Sequence, residues 1–319
     1  MPGPRAFITG ASGQDGSYLA ERLLADGVEV HSLTLSGEPA EFLPADVVRH
    51  QGDLTDVAAT RALLADLAPD EVYNLAALSS VAASWEDPDL NASINGGAAV
   101  ALLESAWQVA QVHDKQVAFV QCSSAEIFGE PSESPQSEAT PLRPVNPYGA
   151  AKAYAHLMTG VYRSRGLHAS SMVLYNHESP RRSPRFVTRK ITSTVAAIAA
   201  GKAEEIVLGN LDARRDFGWA PDYVDAMVRA ARHGQGNDYV IATGVSHSVR
   251  DFVAAAFTQA GVSDWEDRVR VDPALLRPTD PTDLRGDASR ARTELGWAPT
   301  LEFPEIVKQM VETDLELQS

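Results

Sequence analysis

The chain has 319 residues and a formal net charge of −16 at pH 7, from 43 acidic and 27 basic side chains. This charge argues against a broad surface for nucleic acid or anionic membrane, because Lys and Arg drive such binding. No apolar run is long enough to cross a bilayer, and the first residues lack a signal-peptide pattern, so we expect a cytoplasmic protein. The single cysteine, Cys122, excludes an intramolecular disulfide, and the eight histidines lack metal-ligand spacing, so we predict no metal site.

Short β-rich runs alternate with helical patterns through the first half of the chain. Five runs are predicted to be strands: Ala6–Thr9, Glu29–Leu33, Val47–His50, Glu71–Leu75 and Val117–Gln121. Between them, apolar residues recur at helical spacing in Tyr18–Asp26, Val57–Leu67 and Ala98–Val112. Strands that alternate with crossover helices form parallel sheets, so the pattern predicts an α/β fold with a doubly wound parallel sheet.

A glycine-rich segment, here called the glycine loop (Gly10–Gly16), lies between the first strand and the first helix. Gly10 permits a tight turn, Gly13 lets a pyrophosphate approach the backbone, and Gly16 lets the helix pack on the strand. The free N–H groups of the helix N-terminus also suit an anion. The loop therefore predicts a Rossmann-type dinucleotide site, to which we assign Gly10, Ser12, Gly13, Gln14, Asp15 and Gly16.

The end of the second strand normally selects the dinucleotide. An acid there binds the ribose of NAD, whereas an arginine pairs with the extra phosphate of NADP. The residues Thr34–Gly37 offer neither group, so this position leaves NAD and NADP both open. Asp53 and Leu54 follow the third strand and are expected near the adenine, although Asp53 could equally cap the next helix.

Two segments carry side chains suited to acid–base chemistry. Tyr148 and Lys152 are four residues apart, on one face of a helix predicted to begin near Pro147; an exposed helix pair is the alternative. A cation favours a phenolate, so Lys152 is expected to lower the pKa of Tyr148 toward that of a general base. Ser124 and Glu126 follow the fifth strand, at the edge where such sheets bind ligands. Ser124 could hydrogen-bond the hydroxyl on which Tyr148 acts, and Glu126 could be a second acid or base.

The regular alternation ends after a β-rich run at Ser171–Tyr175, and a mixed C-terminal part follows. We expect residues 1–175 to form the dinucleotide-binding domain. Residues 176–319 are expected to form mainly a smaller substrate-binding domain, with segments near 215–245 returning to the large sheet.

A local excess of positive charge lies between Pro180 and Lys190, which contains five cations and no acid. Guanidinium groups suit phosphate, so part of this run is expected to hold a diphosphate and the rest to face the cofactor or a neighbouring subunit. A solvated helix face is the alternative for any single residue.

Together these motifs resemble the extended short-chain dehydrogenase/reductase superfamily and, within it, the GDP-mannose 4,6-dehydratases. The similarity covers nearly the whole chain, and its most specific segments are Asn176–Arg182, Phe186–Thr192, Leu208–Ala213 and Arg215–Gly218. It implies a lyase that makes a 4-keto-6-deoxy sugar from GDP-mannose, or a close GDP-sugar, by internal hydride transfer from C4 to C6. It also implies NADP, tightly bound and recycled, and a homodimer or a tetramer.

The resemblance further implies roles for individual residues. Tyr148, assisted by Ser124, takes the proton of the sugar 4-hydroxyl, while Glu126 removes the C5 proton and helps expel the 6-hydroxyl. Beside the glycine loop, the implied cofactor residues are Asp53, Leu54, Leu75, Ala76, Ala77, Tyr148, Lys152 and His177. The implied substrate residues are Ser79, Glu126, Asn176, Lys190, Leu208, Gly209, Arg215 and Arg277. Three of these residues have structural alternatives: ion pairs with Asp216 and Asp280 for Arg215 and Arg277, and a buried pair with Glu178 for His177.

Four features depart from that family. The arginine pair expected after the second strand is absent and Thr34–Asp46 is short, which weakens the expectation of NADP and of a tetramer. Leu78–Ser80 replaces a Gln-Ser-His segment and Trp219 replaces a histidine, changes that bear on the sugar or nucleotide accepted. Ser124 stands for a threonine, a mild change because the hydroxyl is shared.

Three other functions stay open. A 4-keto-6-deoxy-sugar reductase would consume NAD(P)H, but reductases lack the Arg-Arg run of Asn176–Arg182. A dehydratase or epimerase could act on another nucleotide sugar; a simple 4-epimerase needs no base at C5, so Glu126 favours elimination. A non-catalytic NAD(P)-sensing protein would tend to lose the pair Tyr148 and Lys152, which this chain keeps.

Overall fold

The structure is a computed structural model that describes residues 3–276 and 283–318. The strands of those residues are β1 (Arg5–Thr9), β2 (Glu29–Thr34), β3 (Val48–Gln51), β4 (Glu71–Asn74), β5 (Ala118–Ser124), β6 (His168–Leu174), β7 (Asn176–Glu178), β8 (Ile206–Leu208), β9 (Arg214–Trp219), β10 (Asp238–Ile241), β11 (Ser246–Ser248), β12 (Val269–Val271) and β13 (Asp283–Leu284). The α-helices are α1 (Gln14–Ala25), α2 (Val57–Leu67), α3 (Pro88–Ala92), α4 (Ala99–Val112), α5 (Pro147–Ser164), α6 (Val187–Ala199), α7 (Ala220–Arg232), α8 (Val249–Gln259), α9 (Ser289–Leu295) and α10 (Phe303–Glu316).

Seven strands form one parallel sheet, in the spatial order β3-β2-β1-β4-β5-β6-β10. Side chains of α2, α4 and α5 pack with one apolar cluster against this sheet, and those of α1, α7 and α9 pack with another. Both faces are therefore covered, which explains why β4 and most of β5 are buried along their length. The strand order reverses between β1 and β4, and ligands of doubly wound sheets bind at such a point. The predicted Rossmann-type fold is confirmed.

A second group of elements surrounds its own apolar core. Strands β7, β9, β11 and β13 form a small mixed sheet, and β8 pairs with β12. Helices α6, α8 and α10 pack around this group, with Phe217, Phe252, Phe257 and Met310 fully or almost fully buried. The chain enters the group directly after β6, and β10 later adds a strand to the large sheet. The division into two domains at residue 175 stays a prediction.

Within the described residues, no helix has the length and apolar character needed to cross a membrane.

Candidate active site

The glycine loop joins β1 to α1 at the point where the strand order reverses. Gly10 has a φ of +73°, and a Cβ at this position would lie 2.8 Å from the amide nitrogen of Ala76. A Cβ on Gly16 would lie 2.2 Å from the Gly10 carbonyl oxygen. Gly13 is the N-cap of α1 and provides no side-chain cap, so the first-turn N–H groups keep their capacity for an anion. The backbone of the loop therefore fits a bound pyrophosphate.

A buried chain of hydrogen bonds runs along the carboxyl edge of the sheet beside the glycine loop. The Ala76 N–H donates to Thr9 Oγ1 at 3.1 Å, and Thr9 Oγ1 donates to Asn74 Oδ1 at 2.7 Å. Asn74 Nδ2 in turn donates to Gln121 Oε1 at 2.8 Å, and Gln121 Nε2 donates to the Cys122 carbonyl at 3.0 Å. These bonds fix the segment Leu75–Ala77 against the end of β1, directly before the glycine loop, as expected if the segment and the loop contact one dinucleotide.

The Tyr148–Lys152 pair lies on the buried face of α5, which begins at Pro147 as predicted. The two residues are 8% and 3% exposed, so the exposed-pair alternative is wrong. Lys152 Nζ donates to the Cys122 carbonyl at 2.8 Å, and burial lowers its pKa to about 8. Burial raises the pKa of Tyr148 to about 12, against the effect of its hydrogen bond with Ser124. The predicted lowering of the Tyr148 pKa by Lys152 is therefore wrong. Burial has the largest effect on that pKa, and the Lys152 ammonium donates its hydrogen bond to the Cys122 carbonyl.

Glu126 and Ser124 lie at the end of β5, next to the start of α5. Ser124 Oγ accepts from the Glu126 N–H at 3.2 Å and begins a single 3-10 turn. Glu126 Oε2 accepts from Asn146 Nδ2 at 2.8 Å. The other amide atom of Asn146, Oδ1, accepts from the Gly149 N–H at 2.7 Å and thereby caps α5. One side chain therefore both starts the helix that carries Tyr148 and holds the carboxylate.

Sequence reasoning missed Asn146. An Asn directly before a Pro is a typical start of a helix, so the N-cap role of Asn146 could have been predicted from the sequence. Its contact with Glu126 could not have been predicted, because that contact depends on how closely α5 approaches the end of β5. Gly149 allows the approach, since a Cβ there would lie 2.5 Å from the Glu126 carbonyl oxygen.

His177 connects the glycine loop to β7. Its Nε2 lies 2.8 Å from Asp15 Oδ2, its Nδ1 lies 2.7 Å from the Tyr175 carbonyl, and its ring stacks on Tyr223. Burial acts to lower the pKa of His177, but Asp15 outweighs burial and raises it. The pKa of Asp15 is lowered by His177 despite the burial of the carboxyl group. The two side chains therefore form a partly buried ion pair, so the ion-pair partner of His177 is Asp15 and not Glu178.

This ion pair predicts a pH-dependent contribution to stability. The raised pKa of His177 stabilises the fold fully below about pH 6.5, and the stabilisation is lost as the pH rises through the folded-state pKa. The lowered pKa of Asp15 stabilises the fold above about pH 4. We expect Asp15→Asn to lower the free energy of unfolding by about 1.5–3 kcal/mol at pH 6 and by less at pH 9, measured by urea denaturation without dinucleotide. An equal loss at both pH values would contradict the ion pair.

The cations between Pro180 and Lys190 are mostly committed to partners within the chain. Arg181 pairs with Glu21 at 2.7 Å, Arg182 lies 3.3 Å from Glu178, Arg189 pairs with Asp314, and Lys190 donates to the Val207 carbonyl at 2.7 Å. Arg185 is exposed. The charges of three arginines in this run are thus balanced by carboxylates, and the expectation that part of the run holds a diphosphate stays a prediction.

The other predicted site residues lie in different surroundings. Ser79 is exposed after β4, Asn176 is half-buried in β7, Gly209 packs on the Leu275 carbonyl, and Arg215 is buried in β9 with Nη1 bonded to the Arg214 carbonyl. The Leu208 side chain belongs to the apolar core around α6, so only its backbone is suited to a ligand contact. Arg277 and Asp280 lie outside the described residues. Asp216, which the sequence offered as an alternative ion-pair partner of Arg215, accepts hydrogen bonds from the N–H groups of Thr243 and Gly244.

Asp53 does not cap the next helix. It is exposed and accepts hydrogen bonds from the N–H and the hydroxyl of Thr55, whereas Asp56 caps α2 by accepting from the Ala59 N–H. The capping alternative for Asp53 is therefore wrong. Leu54 is buried, and the predicted adenine contact of this segment stays a prediction.

Comparison with known proteins identifies the family of the chain. The family described as GDP-mannose 4,6 dehydratase matches residues 7–310. The chain belongs to this family. It is 43% identical to GDP-mannose 4,6 dehydratase 1 of Arabidopsis thaliana, over 98% of this chain and 90% of that relative. The resemblance seen in the sequence is thereby confirmed, and the chain is an enzyme of the hydro-lyase type that carries out nucleotide-sugar 4,6-dehydration.

Solved structures support the fold. The UDP-glucose 4-epimerase of Thermus thermophilus, solved in complex with NAD, has a TM-score of 0.85 and 28% identity, over 97% of this chain and 98% of that chain. The UDP-glucose 4-epimerase of Thermotoga maritima, solved with UDP-glucose, has a TM-score of 0.88 over 99% of this chain and 100% of that chain, at 24% identity. This member of the dehydratase family thus shares its fold with proteins that bind a nicotinamide dinucleotide or a nucleotide sugar.

Proposed function

We propose that this chain converts GDP-mannose to its 4-keto-6-deoxy derivative while a nicotinamide dinucleotide stays bound and is recycled. The observation that carries the proposal is the position of Glu126. Its carboxylate is held by Asn146 beside the hydrogen-bonded side chains of Ser124 and Tyr148. Besides a hydride acceptor, an alcohol oxidation needs only the phenol and the hydroxyl from the protein, whereas removal of water also needs a second acid–base group, which Glu126 supplies.

The glycine loop, the segment Leu75–Ala77, Lys152 and His177 are the residues that we propose to hold the dinucleotide. A bound nicotinamide supplies the hydride acceptor for C4 and the hydride donor for C6. Tyr148 is assigned to accept the proton of the 4-hydroxyl, with Ser124 orienting that hydroxyl. Burial keeps the pKa of Tyr148 at about 12, and a positive charge brought by a bound ligand would favour the phenolate.

Glu126 is assigned to the elimination. Once C4 is a ketone, the hydrogen on C5 is acidic, and Glu126 takes it as a proton. The same carboxyl group then gives a proton to the departing 6-hydroxyl, which leaves as water. The net change is the loss of one water, with no net oxidation or reduction. Asn176, Lys190, Arg215 and Ser79 are our proposed contacts for the nucleotide sugar, with the backbone at Leu208–Gly209, and Arg277 is retained from the sequence.

The test is incubation of the purified protein with GDP-mannose and no added dinucleotide, followed by mass spectrometry. A product lighter than the substrate by one water, reactive toward carbonyl reagents, supports the proposal. An isomer of unchanged mass would indicate an epimerase. Turnover only of a supplied 4-keto sugar with NADPH would indicate a reductase and overturn the proposal.

Asn146 offers a prediction about how Glu126 is positioned. Asn146→Asp keeps an oxygen that caps α5 but removes the amide donor to Glu126 and places a second carboxylate beside it. We expect kcat for keto-sugar formation to fall roughly 10- to 100-fold, the range for one hydrogen bond to a charged group, with little change in KM. Asn146→Ser also caps α5 and lacks the amide donor but adds no charge, so it separates the lost hydrogen bond from the added carboxylate, and thermal unfolding reports on α5. An unchanged kcat in Asn146→Asp would limit Asn146 to capping.

We also propose that the chain pairs with a second copy through α4 and α5, as a homodimer or within a tetramer. Tyr154, Leu157 and Val161 support this because they lie on one face of α5 and are about half exposed. Light scattering of the purified protein tests the oligomeric state, and a monomer at micromolar concentration would contradict it.

A further inference from the structure

The turn that follows β2 directs a carboxylate at the glycine loop. The Glu38 N–H donates to the Leu35 carbonyl at 3.2 Å and closes the turn, in which Gly37 has a φ of +76°. The Glu38 side chain then folds back toward the strand end. Its Oε2 accepts from the Leu35 N–H at 3.0 Å, and its Oε1 accepts from Ser12 Oγ in the glycine loop.

This position has a known use in dinucleotide sites of the Rossmann type. An acid about 20 residues after the glycine fingerprint, at the end of the second strand, accepts a hydrogen bond from the ribose 2′-hydroxyl of NAD. Glu38 follows Gly16 by about that distance in the sequence and touches the loop in space. The sequence-based expectation for the end of this strand covers only Thr34–Gly37. Glu38 is the next residue, and for this reason no acid was found there.

The charges of the same segment are unsuited to a 2′-phosphate. The residues Thr34–Asp46 contain three acids and neither Lys nor Arg. The Arg181 guanidinium reaches this segment, since it lies 5.3 Å from the Phe42 ring, but it pairs with Glu21 at 2.7 Å. A phosphate carries nearly two negative charges near pH 7, so close to Glu38 it would meet like charge without a cation from this segment.

We infer that Glu38 is a specificity-determining residue, which selects NAD over NADP by accepting a hydrogen bond from the adenosine ribose and repelling a 2′-phosphate. The inference rests on the proposed function, because it concerns the dinucleotide of that same site. It departs from the expectation of NADP that the family resemblance implies. The Glu38 carboxylate is already held by Leu35 and Ser12, so little ordering of the side chain is needed when the ribose arrives.

The test measures binding and not turnover. Isothermal titration of the dinucleotide-stripped protein, without sugar, should give a Kd for NAD at least about tenfold below that for NADP. Glu38→Gln keeps the size of the side chain but removes its charge, and should reduce this preference by roughly 10- to 100-fold. Glu41→Gln removes an exposed charge from the same segment and should leave the preference unchanged.

Equal or tighter binding of NADP by the unaltered protein would overturn the inference. A change in Glu41→Gln as large as that in Glu38→Gln would overturn the assignment to Glu38. Mass spectrometry of the dinucleotide released from freshly purified protein gives an answer that needs no variant, with NAD expected and NADP contradicting the inference. A protein that prefers NAD but leaves GDP-mannose unchanged would refute the proposed function and leave this inference intact.

Discussion

Replacing Glu126 by Gln is expected to lower the rate of keto-sugar formation by roughly a thousandfold, within the range for loss of a general acid–base group. The amide has nearly the shape of the carboxylate, and its oxygen can still accept from Asn146 Nδ2, so the contact between the end of β5 and the start of α5 is kept. The amide cannot take the proton from C5 or give a proton to the 6-hydroxyl. The loss should therefore appear in kcat, with little effect on stability or on dinucleotide binding.

This variant should also separate the two halves of the reaction. Ser124 and Tyr148 are unchanged, so oxidation at C4 stays available while elimination is blocked. We expect the absorbance of reduced nicotinamide to appear when GDP-mannose is added and then to persist. Glu130→Gln, which removes an exposed carboxylate four residues away, is the control and should retain full activity. Full activity in Glu126→Gln itself would refute the role assigned to this residue.

The parts of the fold that follow from local pattern could be predicted. Strands β1, β2, β4 and β5 begin within one residue of their predicted starts, and α2 has its predicted bounds. The spacing of apolar residues and the length of each run predict these elements. The alternation of strands and helices then leaves few possible topologies for the sheet. The glycine loop was equally readable, because the three glycines stand where a side chain would collide with backbone or block an anion.

The contacts that complete the site could not be read in this way. Asn146 lies 20 residues from Glu126, and Ser12 lies 26 residues from Glu38. Such contacts depend on how closely two elements approach, which periodicity does not give. The arginine run illustrates the same limit, since the partner of Arg189 is Asp314, 125 residues away. The ion pairs of this run could therefore not be predicted from the local excess of charge, and its contact with a diphosphate stays a prediction.

The pKa of Tyr148 shows a further limit, because spacing predicted proximity but not the balance of electrostatic effects. Four residues along a helix do bring Lys152 to the Tyr148 ring, with Nζ 5.8 Å from its centroid. Burial of both groups nevertheless disfavours both charged forms, so that the phenol is raised to a pKa of about 12 and the ammonium lowered to about 8. The helical spacing thus predicted that the two side chains meet, whereas burial decided the direction of both pKa shifts.

Replacing Tyr148 by Phe is expected to lower the rate of keto-sugar formation about as much as Glu126→Gln does, but to block a different step. The phenyl ring fills the same buried space, and Lys152 keeps its bond to the Cys122 carbonyl, so α5 and the dinucleotide site should stay intact. The variant lacks the hydroxyl that accepts the proton from the sugar 4-hydroxyl, which should lower kcat by about 10²–10⁴-fold. Dinucleotide affinity should change by less than about threefold, because no bond of Lys152 is removed.

The signature is the absence of any reduced nicotinamide when GDP-mannose is added, since the block now precedes oxidation at C4. Tyr154→Phe, the same substitution at a residue of α5 outside the proposed active site, is the matched control and should keep its activity. Accumulation of reduced nicotinamide in Tyr148→Phe, or turnover equal to that of the control, would contradict the assignment of Tyr148. Because Glu126→Gln is expected to accumulate the reduced form and Tyr148→Phe is not, one absorbance measurement on the two variants orders their steps along the reaction.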